Sequence, residues 1–223
     1  MKSETVLVPA DGGTLPGDLV VPDSARAVVL FAHGSGSSRH SPRNQAVAAA
    51  LREAALATLL IDLLTAEEEN EDVVTGEYRF DIALLGRRLV AAMEWLGAQP
   101  GTRDLPIVLF GASTGAAAAL QAAAERPDRV LTVVSRGGRP DMAGDALPAV
   151  RAPVLLVVGG DDHEVLRLNE EAARRLRAAN SLCVIPGATH LFEEPGALEQ
   201  VAVTVRDWCE ERLRAAPAEQ EPS

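Results

Sequence analysis

The sequence predicts an α/β protein: a doubly wound, mostly parallel sheet with helices on both faces. Three observations point there. Six short apolar runs alternate with helical patterns from about residue 27 onward. The runs are continuously apolar, not alternating, as strands buried on both faces are. Most of them end in glycine-rich or polar turns, the place where such sheets gather function. One chain of 223 residues with 47% hydrophobic content has enough material for a single large core, and 3% aromatics make that core aliphatic.

The elements follow in order. TVLVPA and DLVVP flank Asp11-Gly12-Gly13 and predict an antiparallel hairpin at the sheet edge. AVVLFAH (27–33) is the first buried strand. Ser41 suits a helix N-cap and Pro42 the first helical position, so a helix starts there and runs through QAVAAALREAA. ATLLID (57–62) is the next strand. The acidic stretch AEEENED (66–72) reads as a solvated loop or helix start, and a helix follows from about Tyr78 to Leu96. LPIVLF (105–110) precedes a nearly all-alanine helix that ends at Glu125. VLTVVS (130–135) ends in RGGRP, and PVLLVVGG (153–160) ends in DDH before a helix from about Glu164 to Ala178. SLCVIPG (181–187) is the sixth run, and an amphipathic helix over roughly Ala197–Leu213 closes the pattern. Nothing splits the chain, so residues 1–214 read as one domain and 215–223 as a disordered C-terminal tail.

Charge and cysteine content exclude several functions. Lys and Arg number 21 against 32 Asp and Glu, a net charge of −11 that repels a phosphate backbone and argues against nucleic-acid binding. No apolar run approaches the ~20 residues of a membrane span. The N-terminus MKSETVLVPADGG has no apolar core of a signal peptide. Cys183 and Cys209 form no disulfide framework and no metal spacing, and read as reduced structural thiols of a cytoplasmic protein.

Gly111-Ala112-Ser113-Thr114-Gly115 stands where a buried strand must turn sharply into a helix. A serine there is strained and lifted above the sheet, and the residues two before and two after it must be tiny because strand and helix backbones close on each other. Ser113 is therefore the candidate nucleophile, and the turn aims the Thr114 amide at the point where an oxyanion would form.

Such a hydroxyl needs a general base, and the base needs an orienting acid. Four histidines are available: His33, His40, His163 and His190. In hydrolases built on such sheets the chain order is serine, acid, histidine, which selects His190. The acid should end the preceding strand, where Asp161 and Asp162 stand. Asp162 is preferred, with Asp161 assigned to capping the following helix and Asp141 as a third candidate.

The loop His33-Gly34-Ser35-Gly36-Ser37-Ser38 is placed to supply the second oxyanion donor, the Ser35 amide. A rival reading takes Gly34-Ser35-Gly36 as a dinucleotide-binding turn, with Asp62 as its ribose-binding acid. Arg39 stands where the third glycine belongs. No metal site is expected, because the histidines and aspartates offer no ligand pair at helical spacing.

FAHGSGSS at 31–38, GASTG at 111–115, GGDDHEV at 159–165 and PGATH at 186–190 resemble the α/β-hydrolase superfamily from about Ala27 to Leu213, and more narrowly its small branch related to dienelactone hydrolases. The resemblance implies an eight-strand sheet, no cofactor, and cleavage of an ester, lactone or thioester through an acyl-enzyme. Ser113 departs from the cysteine nucleophile expected of true dienelactone hydrolases. The segment between the fourth and fifth parallel strands is short, which leaves little room for a cap.

The reading is thus a cytoplasmic serine hydrolase acting on a small-molecule ester or lactone. Its alternatives are a catalytically silent binding module of the same fold and a dinucleotide-dependent oxidoreductase. Arg39, Arg43, Arg136 and Arg139 are expected to rim the carboxyl-end face around Ser113 and to favour an anionic substrate. The competing expectation is that these arginines pair with Asp62, the 66–72 acidic run or Asp141 and only hold loops. The sequence does not give the oligomeric state.

Overall fold

In the computed structural model, residues 1–215 are described; of the tail expected over 215–223, Ala215 closes the last helix and the rest lies outside the described residues. The sheet has eight strands: β1 (Lys2–Ala10), β2 (Gly13–Val21), β3 (Ala27–Ala32), β4 (Leu56–Ile61), β5 (Ile107–Ala112), β6 (Val130–Arg136), β7 (Val154–Gly159) and β8 (Asn180–Ile185). Their order across the sheet is β1-β2-β4-β3-β5-β6-β7-β8. The β1–β2 hairpin joins β4 antiparallel, and the remaining pairings are parallel. Every residue of β3, β4, β5 and β7 is buried, which is the physical content of their unbroken apolar runs.

The described residues form six helices: α1 (Pro42–Glu53), α2 (Ala66–Thr75), α3 (Ile82–Ala98), α4 (Thr114–Glu125), α5 (His163–Arg175) and α6 (Ala197–Ala215). Helices α1 and α6 pack together on one face over Phe31, Phe110, Val134 and Val157; α3, α4 and α5 lie on the other over Leu30, Leu59, Leu109 and Leu156. Strand alternation divides the neighbours Leu30 and Phe31 between these two layers. Each layer carries one half-buried indole. Trp95 of α3 packs against the first, while Trp208 of α6 packs against the second and donates its Nε1–H to Thr132 Oγ1 at 2.8 Å.

Local signals explain the helix starts. Ser41 Oγ accepts the Asn44 amide at 3.4 Å, with Pro42 in the first turn. The acidic stretch forms helix α2, opened by a capping box in which Thr65 and Glu68 exchange side-chain and backbone bonds. The helix expected from Tyr78 divides into a 3₁₀ turn, Tyr78–Phe80, and α3, because Asp81 caps the Leu84 amide at 2.9 Å. Between β6 and β7 there is only a kinked 3₁₀ segment, Pro140–Ala149. No helix of the described residues is long and apolar enough to cross a membrane.

Candidate active site

Strand β5 ends at Ala112 and helix α4 begins at Thr114, so the whole change of direction falls on Ser113, at φ 51° and ψ −122°. A non-glycine residue there is strained by roughly 1–3 kcal/mol and persists only where its surroundings over-determine it. The surroundings here do. The Ser113 amide donates to Arg136 O at 3.2 Å, and its carbonyl accepts the Arg139 amide at 3.0 Å. A Cβ on Gly111 would lie 2.4 Å from Ala116 Cα, and one on Gly115 would lie 2.4 Å from Ala32 O. Glycine is thus required at both flanks because backbone packs directly on backbone.

The loops after β7 and β8 supply the next two groups. Asp162 occupies the N-cap position of α5, yet its carboxylate makes no capping bond. Instead Oδ2 accepts a bond from His190 Nδ1 at 2.6 Å. That contact assigns the proton to Nδ1 and leaves Nε2 with a lone pair. Asp161 is exposed, and its amide, not its carboxylate, is engaged, donating to Ala188 O at 3.0 Å. The helix-capping role expected of Asp161 is not seen. Asp141, the third candidate, is bound by Arg139 through two bonds of 2.9 and 2.8 Å.

One loop braces both halves of this arrangement. Gly137, at φ 51°, follows Arg136, and a Cβ there would stand 3.2 Å from His190 O and 3.6 Å from His190 Cε1. The segment that fixes the Ser113 backbone is therefore the one against which His190 rests. Sequence reasoning noted RGGRP but gave its glycines no role; the glycine pair at the carboxyl end of β6 was the available signal.

The oxyanion region departs from expectation. Thr114 begins α4, so its amide is among the helix-terminal donors without an intrahelical acceptor, at the positive end of the helix dipole. The Ser35 amide, however, donates to Thr114 Oγ1 at 2.8 Å. The Thr114 side chain is buried between the loop and the turn, and takes the N–H that was expected to face an oxyanion.

His33 is consumed within the same loop. Its Nδ1 donates to Gly34 O at 2.9 Å and its Nε2 accepts the Leu63 amide at 3.1 Å. Burial pushes its pKa below the ordinary imidazole range, against opposing contributions from the Gly34 carbonyl, Asp62 and Glu69. The unfolded chain therefore takes up this proton first as pH falls. The stabilisation is complete above about pH 6.5 and declines below it, towards the depressed folded pKa. Thermal melts between pH 7 and pH 5 should show Tm falling less steeply for His33→Gln than for the native chain. Parallel slopes would remove His33 from the acid response.

The four arginines separate into different environments. Arg39 is bound to Asp62 through its backbone and side chain and lies 3.4 Å from Asp18. Asp62 is thereby spent on a loop contact, which takes the ribose-binding acid away from the dinucleotide reading. Arg139 is held by Asp141. For these two residues the loop-holding expectation describes what is found. Arg43 reaches Glu193 at 3.2 Å. Arg136 is buried, with its guanidinium carbon 5.9 Å from the centre of the Phe192 ring.

An eight-strand, mostly parallel sheet with a strained serine turn after β5, an acid after β7 and a histidine after β8 defines the α/β-hydrolase fold. The sequence matches the model of the dienelactone hydrolase family over residues 17–211, and the chain belongs to that family. A solved dienelactone hydrolase from Anabaena variabilis is 55% identical, with a TM-score of 0.92 over 94% of this chain and 97% of that one. Est1E from Butyrivibrio proteoclasticus shares the fold at 18% identity, with a TM-score of 0.79 over 94% of this chain and 99% of that one. Two strains of Mycobacterium tuberculosis carry relatives named "Putative phosphoribosyl transferase", 54% identical over 208 residues, or 93% of this chain. The chain spans 46% of the length of those relatives. Family and fold point to a hydrolase.

Proposed function

We propose that this chain is a serine hydrolase that cleaves a carboxylic ester, lactone or thioester through an acyl-enzyme. The observation that carries the reading is the strained Ser113 turn, braced by the same loop that supports the Asp162–His190 pair. Ser113 Oγ attacks the carbonyl carbon while His190 Nε2 takes the hydroxyl proton. Asp162 holds the imidazole through Nδ1–H and stabilises the imidazolium that forms. The carbonyl oxygen becomes an oxyanion beside the Thr114 amide, and the Ser35 amide reaches it only by exchanging its bond to Thr114 Oγ1. Collapse of the intermediate breaks the bond to the leaving group, which receives the proton from His190. Water then repeats the sequence on the acyl-enzyme and frees Ser113.

The name of the mycobacterial relatives is given to proteins of which this chain is less than half. A fluorophosphonate probe and a series of p-nitrophenyl esters of graded acyl length test the proposal. One probe per chain on Ser113, together with ester turnover, is the expected result. Neither labelling nor turnover would leave a silent binding module of the same fold.

A further inference from the structure

The Thr114 hydroxyl is a donor without an acceptor, one residue from the nucleophile. Its oxygen accepts the Ser35 amide at 2.8 Å, and among the described residues its own hydrogen meets no acceptor. A buried hydroxyl ordinarily uses that hydrogen, and in a helix it gives it to the carbonyl one turn back. Thr114 has no such turn behind it. It is the first residue of α4, and four residues back lies Phe110, inside strand β5, where the carbonyl belongs to the sheet. The side chain is therefore half satisfied: one lone pair is filled and the hydrogen is left over.

The loop that fills the lone pair lies directly on the nucleophile. A Cβ on Gly34 would stand 3.0 Å from Ser113 Cβ and 3.7 Å from Ser113 Oγ. Gly34, Ser35 and Thr114 also line one cleft, shared with Leu63, Leu64 and Leu85. The hydroxyl is thus buried within the protein yet borders a space that a bound molecule can enter. Its neighbour in the same residue is the Thr114 N–H, an unpaired donor at the start of α4. An N–H and an O–H on adjoining carbons of one residue can converge on a single oxygen.

We propose that the Thr114 hydroxyl is the second oxyanion donor, with the Ser35 amide acting through it. As Ser113 attacks, the carbonyl oxygen gains charge beside the Thr114 N–H. The hydroxyl turns its hydrogen onto that oxygen and keeps its lone pair on the Ser35 N–H. The proton stays on Thr114 throughout, and the loop contributes without exchanging its bond. Accepting an N–H makes a hydroxyl a stronger donor, and bonds of the type O–H···O⁻ are short and strong. This bond strengthens only as charge develops, so it lowers the barrier and leaves substrate affinity nearly unchanged. The inference rests on the serine hydrolase reading.

Thr114→Val separates the relay from direct donation by Ser35, because the two predict opposite signs. The variant removes the hydroxyl, keeps the Thr114 backbone amide and releases the Ser35 N–H. If the hydroxyl is the donor, kcat for p-nitrophenyl butyrate falls by about 10²–10³ while KM changes little. Benzeneboronic acid, which forms a tetrahedral adduct on serine, should lose affinity in parallel. Thr114→Ser restores the hydroxyl without the methyl group and should recover about ten-fold of the loss or more. Thr114→Ala serves if the valine variant does not fold, and it reads the same way. The proposal is overturned if Thr114→Val, or alanine in its place, turns over as fast as the native chain or faster, for the freed Ser35 N–H then serves the oxyanion directly. It is overturned equally if Thr114→Ser loses as much as Thr114→Val, which makes the fit of the side chain the cause. In both outcomes the native chain still labels and turns over, so the hydrolase reading stands. A native chain that does neither removes that reading and this inference with it.

Discussion

Replacing Ser113 with alanine should abolish ester turnover and fluorophosphonate labelling together while leaving the fold intact. Alanine takes the same φ of 51° as serine, with a Cβ and no additional atom, so the strained turn keeps its geometry. The two backbone bonds that fix the turn, to Arg136 O and from the Arg139 amide, do not involve the side chain. Loss of a nucleophile of this kind typically lowers kcat by on the order of 10⁶. Initial rates with p-nitrophenyl esters, intact-mass labelling and a thermal melt on one preparation check all three statements. Residual labelling at another serine, with Ser35 the nearest alternative, would falsify the assignment of Ser113.

The second large effect separates two adjacent carboxylates. Asp162→Asn keeps the shape at His190 Nδ1, but an amide has no net charge and presents N–H as readily as oxygen, so the imidazole is no longer held in one tautomer. In the template triad such a change lowers kcat by about 10⁴. Asp161→Asn alters an exposed side chain whose backbone amide bonds Ala188 O, and kcat should change by no more than a few-fold. Steady-state kinetics of the two variants, with circular dichroism to confirm folding, decide the matter. If the Asp161 variant loses the larger share, the orienting acid is one residue earlier than placed.

The parts legible in the sequence were those set by local chemistry. Buried strands read directly because two covered faces demand unbroken apolar runs, and Ser41-Pro42 opened α1 where its capping chemistry placed it. The turn at Ser113 was visible for the same reason: its flanking glycines face backbone atoms at distances no side chain tolerates. The boundary at Asp81 was missed although Asp is a capping residue, because the apolar period continues across it. The acidic stretch was left open between loop and helix, and the Thr65/Glu68 pair that decides it was not used.

Asp162 with His190 and an arginine with Asp62 were named as pairs from the sequence, but other long-range pairings were not legible. Ser35 and Thr114 are 79 residues apart, and nothing near either one announces that a hydroxyl would take the amide meant for an oxyanion. Arg39 meets Asp62 across 23 residues and Arg43 meets Glu193 across 150, so four arginines that look equivalent along the chain end in different electrostatic settings. Only the fold decides which of them lacks a partner.

The placement of the indoles has a spectroscopic consequence. Trp95 and Trp208 lie on opposite sides of the sheet, and among the described residues there is no third tryptophan. The indole N–H of Trp208 is held by Thr132 Oγ1, whose own hydroxyl donates to Pro153 O at 2.7 Å, while Arg212 lies 4.5 Å from the ring centre. With Trp95 changed to phenylalanine, intrinsic emission belongs to Trp208 alone and follows the seating of α6 on strands β6 and β7. With Trp208 changed instead, emission follows α3 on the far side. The molecule therefore carries one optical reporter for each layer, and the order in which the two layers loosen in denaturant is readable without attaching a dye.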